Sequence, residues 1–170
     1  MGYRSVLRPG TFEGQVALVT GGGSGIGRCT AHELASLGAQ VAIAGRSPEK
    51  LAQVVAEIDQ AGGRAQAFIC DIRQEEQVEA LVAGVIQAFG RVDALVNNAG
   101  GQFAAPLAAI SQKGWETVVR TNLTGGFLVA RECFTRWMCD HGGRIVNVVA
   151  DMWGGMPGMA HSGAARAGMV

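Results

Sequence analysis

The sequence predicts an α/β fold in which a doubly wound parallel sheet carries helices on both faces. Two observations predict it: short apolar runs alternate with amphipathic stretches, and a glycine-rich turn directly follows the first apolar run. Hydrophobic residues make up 48% of the 170 residues and charged residues 16%, a composition typical of a buried core. We therefore predict a single domain over residues 1–170.

Each predicted strand is a short apolar run bounded by glycine or polar residues. The strands fall at 15–20, 41–45, 65–70, 94–100 (with its loop) and 144–149. Helical spacing predicts helices at 26–37, from Ser47-Pro48 to about 60, at 74–89, from Ser111 to about 138, and from His161 to the last residue. Parallel strands joined by helices place the loops 20–27, 46–47, 71–72, 97–103 and 149–160 on one rim of the sheet, where such folds bind ligands.

The turn TGGGSGIG, at 20–27, lies between the first strand and the first helix. Its glycines Gly21, Gly25 and Gly27 allow a tight turn and a close backbone approach to a pyrophosphate. Amides at the helix start then face the negative charge, as in a Rossmann-like site. Ser24 and Ile26 belong to the same predicted dinucleotide-binding turn.

The end of the second strand carries Arg46 where an NAD enzyme normally has Asp or Glu for the ribose hydroxyls. An arginine there can pair with a 2′-phosphate, which favours NADP; the alternative is a solvated surface charge. After the third strand, Asp71 and Ile72 are placed to contact the adenine, although Asp71 could equally cap its own loop.

Bulk composition excludes several other classes of function. The counts of Lys+Arg and Asp+Glu are both 14, so no nucleic-acid partner is expected. No apolar run approaches 18 residues and the first ten residues have no apolar h-region, which predicts neither a membrane span nor a signal peptide. Four cysteines without a CxxC pair predict buried, reduced thiols, no metal site and a cytoplasmic protein.

Three motifs together, TGGGSGIG, NNAG at 97–100 and Asn122 in TNLTG, resemble the short-chain dehydrogenase/reductases over essentially the whole chain. The resemblance implies that Asn98, Ala99 and Gly100 brace the sheet and lie along the cofactor. It also implies that Asn122 is the catalytic-site asparagine and bends its helix, although a side-chain-to-backbone bond would also explain an Asn there. Members of this family are usually homodimers or homotetramers of about 250 residues, so we expect a fold truncated after the fifth strand.

Longer strings narrow the resemblance. GGQF at 100–103, KGW at 113–115, HGGRIVN at 141–147 and HSGAARAG at 161–168 are similar to the peroxisomal trans-2-enoyl-CoA reductase and 2,4-dienoyl-CoA reductase branch. Bacterial citronellol/citronellal dehydrogenases are similar as well.

The family's catalytic tyrosine and lysine are replaced in this sequence. Aligning SGAARAG with the family's YxxxK run puts Ser162 at the tyrosine position and Arg166 at the lysine position, while the usual serine position falls on Val149. The one tyrosine, Tyr3, is at the other end of the chain. Ser162 could instead cap the last helix. His161 could be a proton donor near neutral pH or, as is commoner for a lone histidine at a helix start, a local hydrogen-bonding residue.

This departure favours conjugate reduction over carbonyl reduction. Carbonyl reduction needs a strong proton donor, which neither serine nor arginine is. Reduction of an α,β-unsaturated thioester develops an enolate that a cation or hydrogen-bond donors stabilise. The sequence therefore predicts an NADP(H)-dependent enoyl-CoA-like reductase with Asn122, Ser162 and Arg166 as catalytic residues. The alternatives are a dehydrogenase of an acyclic terpenoid alcohol and a nucleotide-binding fragment without turnover.

Overall fold

The computed structural model describes residues 5–170, so Tyr3 lies outside the described residues. All five predicted strands are present. They are β1 Val16–Thr20, β2 Gln40–Gly45, β3 Arg64–Ile69, β4 Ala94–Asn97 and β5 Arg144–Asn147. The α-helices are α1 Gly25–Ser36, α2 Pro48–Gln60, α3 Glu75–Phe89, α4 Gln112–Val119, α5 Gly125–Cys133, α6 Cys139–His141 and α7 Ala160–Ala167.

The five strands form one sheet in the order β3-β2-β1-β4-β5, and every neighbouring pair is parallel. From β1 the chain first builds outward through β2 and β3, then returns to the other side of β1 for β4 and β5. The direction of winding therefore reverses between β1 and β4, and a crevice opens outside their carboxyl ends. The predicted doubly wound parallel sheet is confirmed.

Successive residues of the central strands point to opposite faces, which gives the sheet two separate cores. Leu18 and Ala42 pack on the face covered by α3 and α5. Val19 and Ile43 pack on the opposite face, covered by α1 and α2. A sheet buried on both faces explains why its strands are continuous apolar runs rather than alternating ones.

The residues predicted to begin and end helices do so. The Ser47 Oγ accepts a hydrogen bond from the Lys50 amide at 3.4 Å, and the Ser111 Oγ accepts one from the Gly114 amide at 3.1 Å. Gly90 ends α3 in the left-handed conformation, with φ +78°. By contrast, α7 ends at Ala167, where Gly168 follows, rather than continuing to the last residue.

The helical region that Ser111 begins is continuous to His141 and contains two wider, π-helical turns. They lie at Arg120–Thr124, between α4 and α5, and at Phe134–Met138, between α5 and α6. A π-turn inserts extra backbone into a helix and often marks a functional position. Asn122 lies in the first of these turns, so the helix is locally irregular at this asparagine, the position where the resemblance implied a bend.

The prediction that all four cysteines are buried is wrong for two of them. Cys70 and Cys133 are buried, and burial raises their pKa to about 11 and about 12 respectively. Cys29 and Cys139 are exposed. The reason for Cys29 is helical phase, since α1 buries a stripe of small residues from which Cys29 is offset.

Within residues 5–170, no helix is both long and apolar enough to cross a bilayer. The same residues contain no group of three or more His, Cys, Asp or Glu side chains placed to hold a metal ion.

Candidate active site

A cleft of about 310 Å³ opens at the carboxyl ends of β1, β2, β3 and β4. Eight of the eleven residues predicted to bind a cofactor line it: Gly21, Ser24, Arg46, Asp71, Ile72, Asn98, Ala99 and Gly100. The other three, Gly25, Ile26 and Gly27, lie beside it in the first turn of α1. Four of the five loops predicted to share one rim therefore meet at this cleft, whereas none of its lining residues belongs to the fifth loop, 149–160.

The floor of the cleft is the turn between β1 and α1, and its geometry requires glycine. Gly21 and Gly25 have φ of +67° and +53°, a conformation that costs other residues energy. A Cβ on Gly27 would lie 2.3 Å from the carbonyl oxygen of Gly21. Ser24 precedes α1 in an extended conformation, and its side chain makes no capping bond. The hydroxyl of Ser24 and the first amides of α1 are thus available to an anion.

The hydroxyl of Thr20 joins this turn to the loop after β4, a contact that the sequence motifs did not reveal. Its Oγ1 accepts from the amides of Asn98 and Ala99 at 3.0 and 3.1 Å and donates to the carbonyl oxygen of Val96 at 3.3 Å. The Asn98 Nδ2 donates to the carbonyl oxygen of Thr20 at 3.0 Å. Asn98 therefore braces the sheet, as the resemblance implied.

The far wall of the cleft is positively charged. Arg46 is exposed and makes no ion pair with any of residues 5–170, and Lys50 and Arg73 line the same wall. The sequence analysis did not identify Lys50 or Arg73 as site residues, because neither belongs to a recognisable motif. Lys50 lies in the first turn of α2, and Arg73 lies two residues after Asp71. Three cations beside one cleft favour a ligand with negative charge at this end.

Asp71 pairs with Arg73 on this wall. The Asp71 Oδ1 accepts from the Arg73 Nε at 2.8 Å and from the Arg73 amide at 3.1 Å. This side-chain hydrogen bond is the main reason that the pKa of Asp71 lies below its ordinary value, and Arg46 adds a smaller Coulombic effect. The carboxylate thus caps its own loop, which is the alternative that the sequence left open.

At the opposite end of the cleft, Asn122 holds the loop after β4 from both sides. Its Nδ2 donates to the carbonyl oxygen of Gly101 at 2.6 Å, and its Oδ1 accepts from the amide of Gly101 at 3.2 Å. A further bond reaches the Val118 carbonyl oxygen at 2.9 Å. The side-chain-to-backbone explanation for this residue is therefore realised.

Arg166 lies next to Asn122 across Gly100. A Cβ on Gly100 would be 2.4 Å from the Arg166 Nη2 and 2.6 Å from the Asn122 Oδ1, so only glycine leaves room for both. The Arg166 Nη1 donates to the carbonyl oxygen of Val148 at 2.8 Å, while its buried Nε has no hydrogen-bond partner among residues 5–170. Burial lowers the pKa of Arg166, but a guanidinium remains charged at neutral pH.

Ser162 is fully buried, and its Oγ donates to the Oε1 of Gln102 at 2.7 Å. The alternative that Ser162 caps the last helix is not realised, because Met159 occupies that position and Ser162 lies inside the first turn. The alternative that His161 is a local hydrogen-bonding residue is not realised either. Its ring is fully buried, neither nitrogen has a hydrogen-bond partner within residues 5–170, and it packs edge-on against Phe103 with the ring centroids 4.4 Å apart.

The residue at the position of the family's catalytic serine is Val149, which has an apolar side chain. Val149 is 39% exposed and carries no hydroxyl. In the following loop, 151–159, Met152 is buried whereas Trp153 is 79% exposed. The loop is joined to the one after β4 by a bond from the Ala105 amide to the Gly158 carbonyl oxygen, at 2.8 Å. The end of the site around Asn122 thus has one arginine, Arg166, and several amide donors, but no phenol within residues 5–170.

The family model for short chain dehydrogenases matches residues 15–170. A peroxisomal 2,4-dienoyl-CoA reductase of Danio rerio is 37% identical over 97% of this chain and 56% of its own length. The chain thus spans little more than half the length of this curated relative.

Two solved structures are similar over nearly the whole chain. A citronellol catabolism dehydrogenase of Pseudomonas aeruginosa PAO1 is 62% identical, with a TM-score of 0.95, over 98% of this chain and 69% of that protein. A variant of actinorhodin polyketide ketoreductase crystallised with NADPH is 39% identical, with a TM-score of 0.88, over 91% of this chain and 60% of that protein.

Proposed function

The chain belongs to the short-chain dehydrogenase family. On this premise we propose that it is part of an NADP(H)-dependent oxidoreductase that reduces the C=C bond of an enoyl thioester, such as an enoyl-CoA. One observation carries the proposal. The cation of Arg166 lies beside Asn122 and Gly100, while a buried serine occupies the tyrosine position. Such a site suits charge stabilisation better than proton donation to a carbonyl.

The cleft fits an NADP(H) molecule on its own geometry. The start of α1 packs so closely on the turn at 21–27 that a Cβ on Gly27 would meet the Gly21 carbonyl oxygen, and this packing keeps the first amides of α1 at the floor of the cleft, where a pyrophosphate would lie. Arg46, which forms no ion pair within the described range 5–170, and the neighbouring Lys50 would supply positive charge for a 2′-phosphate. The paired carboxylate of Asp71 leaves the adenine to be held mainly by packing against Ile72.

NADPH held in this cleft would supply a hydride for the β-carbon of an unsaturated thioester, and the electron pair of the C=C bond would then place negative charge on the thioester oxygen. The chain's own residues must then stabilise that oxygen. Arg166 would place a fixed positive charge near the thioester oxygen. Asn122 holds the Gly101 backbone beside the place where the substrate would react. A proton from water reaches the α-carbon, so the products are the saturated thioester and NADP⁺.

The test is to titrate NADPH and NADH by fluorescence and then assay crotonyl-CoA reduction. The expected result is tighter NADPH binding and NADPH-dependent loss of crotonyl-CoA. Arg166→Ala should lower kcat by roughly 10²- to 10³-fold, the range for losing one transition-state donor. Arg8→Ala, an exposed arginine outside the cleft, is the matched control and should leave kcat unchanged. An Arg166→Ala variant with wild-type turnover would contradict the assignment.

A second candidate is a dehydrogenase of an acyclic terpenoid alcohol, favoured by the 62% identity to a citronellol catabolism dehydrogenase. Oxidation of citronellol with NADP⁺, measured beside crotonyl-CoA reduction, separates the two. Faster citronellol turnover would replace the enoyl proposal. NADPH binding with turnover of neither compound would favour a nucleotide-binding role.

We also propose that the protein self-associates through the outer face of α5. Phe127 and the residue two helical turns later, Phe134, are 55% and 53% exposed on this helical region. Exposed aromatic residues at helical spacing are typical of interfaces. Light scattering should show a dimer or tetramer, and Phe127→Lys should shift it toward the monomer.

A further inference from the structure

The loop Gly100–Phe103 is anchored on both sides of Gln102. On one side, the Gly101 amide and carbonyl oxygen both bond to the Asn122 side chain. On the other side, the Phe103 ring packs edge-on against the buried His161 and lies over Gly114, where a Cβ would be 2.8 Å from its Cζ. Two flanking anchors leave the backbone of Gln102 little freedom, so its side chain projects from a fixed point.

The side chain of Gln102 is oriented by Ser162, sixty residues away in the chain. The buried Ser162 hydroxyl donates to the Oε1 at 2.7 Å. This bond turns the carbonyl end of the carboxamide toward α7. The Nε2 makes no hydrogen bond with any of residues 5–170, and Gln102 is exposed. Two amide hydrogens are therefore presented outward in a fixed orientation.

These hydrogens lie near the place where the substrate would react, beside Arg166 and Asn122. Gln102 is two residues from Gly100, which touches both Arg166 and Asn122, and it lies outside the lining of the cofactor cleft. We propose that Gln102 is a catalytic residue whose Nε2 donates a hydrogen bond to the substrate's thioester oxygen, with Ser162 as the positioning residue that aims it. The inference rests on the proposed function and assigns the Ser162 hydroxyl to Gln102 rather than to the substrate.

The physical argument is one of preorganisation. A donor fixed before the reaction stabilises developing negative charge more than one that must reorient, because the orienting cost is already met in the folded protein. Arg166 supplies charge but is itself partly occupied by the Val148 carbonyl oxygen. A neutral amide donor on the other side of the oxygen would complete a pair of donors.

The experiment compares kcat for crotonyl-CoA, KM for NADPH, and the carbonyl stretching frequency of the thioester bound with NADP⁺. Gln102→Leu should lower kcat by about 10²-fold, the usual effect of removing one such donor, and leave the KM for NADPH within about twofold. It should also return the carbonyl frequency toward that of the free thioester. Gln102→Glu keeps an acceptor for Ser162 but faces the oxygen with negative charge, so its loss of kcat should be at least as large.

Ser162→Ala keeps the donor and releases its orientation, so about a tenfold loss is expected from one missing hydrogen bond. The double variant should be no worse than Gln102→Leu alone, since both changes act on one interaction. Gln112→Leu is the matched control and should leave kcat unchanged, because the Gln112 side chain lies on the exposed start of α4 and its Nε2 donates to the Glu116 carboxylate.

Wild-type kcat in Gln102→Leu, or a loss of kcat with an unchanged carbonyl frequency, would overturn the inference and leave the proposed function standing. A wild-type protein that binds NADPH but neither binds nor reduces crotonyl-CoA would refute the proposed function and the inference with it.

Discussion

Adding one methyl group to the cofactor turn, by Gly27→Ala, is the sharpest test of the cleft. The new Cβ would lie 2.3 Å from the Gly21 carbonyl oxygen and 2.5 Å from the Asn98 Nδ2, whereas ordinary contacts begin at 3.4 Å. The turn or the helix must therefore retreat by about 1 Å. Neither moves easily, since the Gly21 amide is bonded to the Ala44 carbonyl oxygen at 2.8 Å and Asn98 to Thr20.

Two effects of known size follow from that displacement. Overpacking of this kind costs about 1–3 kcal/mol, which corresponds to a fall in Tm of roughly 2–12 °C for a domain of this size. Weakening one charge-assisted bond between the backbone amides and the pyrophosphate costs about 1.5–3 kcal/mol, so the Kd for NADPH should rise about 10- to 100-fold.

Thermal unfolding and NADPH fluorescence titration measure the two effects separately. Gly154→Ala is the control, because a Cβ there meets no atom within 4 Å and its φ is not positive. A Gly27→Ala protein with the Tm and the Kd of the wild type would show that the turn is not the tight pyrophosphate cradle described above.

Three further outcomes are expected. Arg46→Ala should weaken NADPH binding about 10- to 100-fold, the loss of a charge-assisted bond, and leave NADH binding unchanged; equal weakening of both would contradict the 2′-phosphate role. The hydrogen bond from Arg28 is the main reason that the pKa of Glu57 falls from 4.5 to about 2, so this pairing stabilises the fold above pH 4.5 and is lost as the pH falls through about 2. Glu57→Gln should flatten that part of a pH–stability curve, and an unchanged acid limb would count against the pairing. A thiol reagent should label only two cysteines of the folded protein rapidly, Cys29 and Cys139.

The fold was predictable because its signals are local. A strand such as β1 is a run of apolar residues, and the beginning of α2 depends on a serine and a proline adjacent in sequence. Helical spacing alone overestimated cysteine burial, since Cys29 lies off the buried stripe of α1 by a rotation that only the packed structure fixes.

The candidate site was predictable where a motif carries the geometry and not where side chains meet across the fold. The cleft turn and Asn98 follow from their motifs. The bond between Ser162 and Gln102 joins residues sixty positions apart, and no pattern in either segment indicates the other. The same holds for Thr20, whose partners Asn98 and Ala99 lie 78 and 79 residues away. His161 was misjudged because sequence gives no measure of its burial under Phe103.

The Thr20 hydroxyl also bears on how a ligand enters. Because one buried oxygen joins the turn after β1 to the loop after β4, these two lips of the cleft must move as a unit. The opposite lip is formed by the exposed side chains of Arg46 and Lys50, which rearrange on the nanosecond timescale of surface rotamers. We therefore expect ligand entry to involve rotamer changes of Arg46 and Lys50 while the loops after β1 and β4 stay in place.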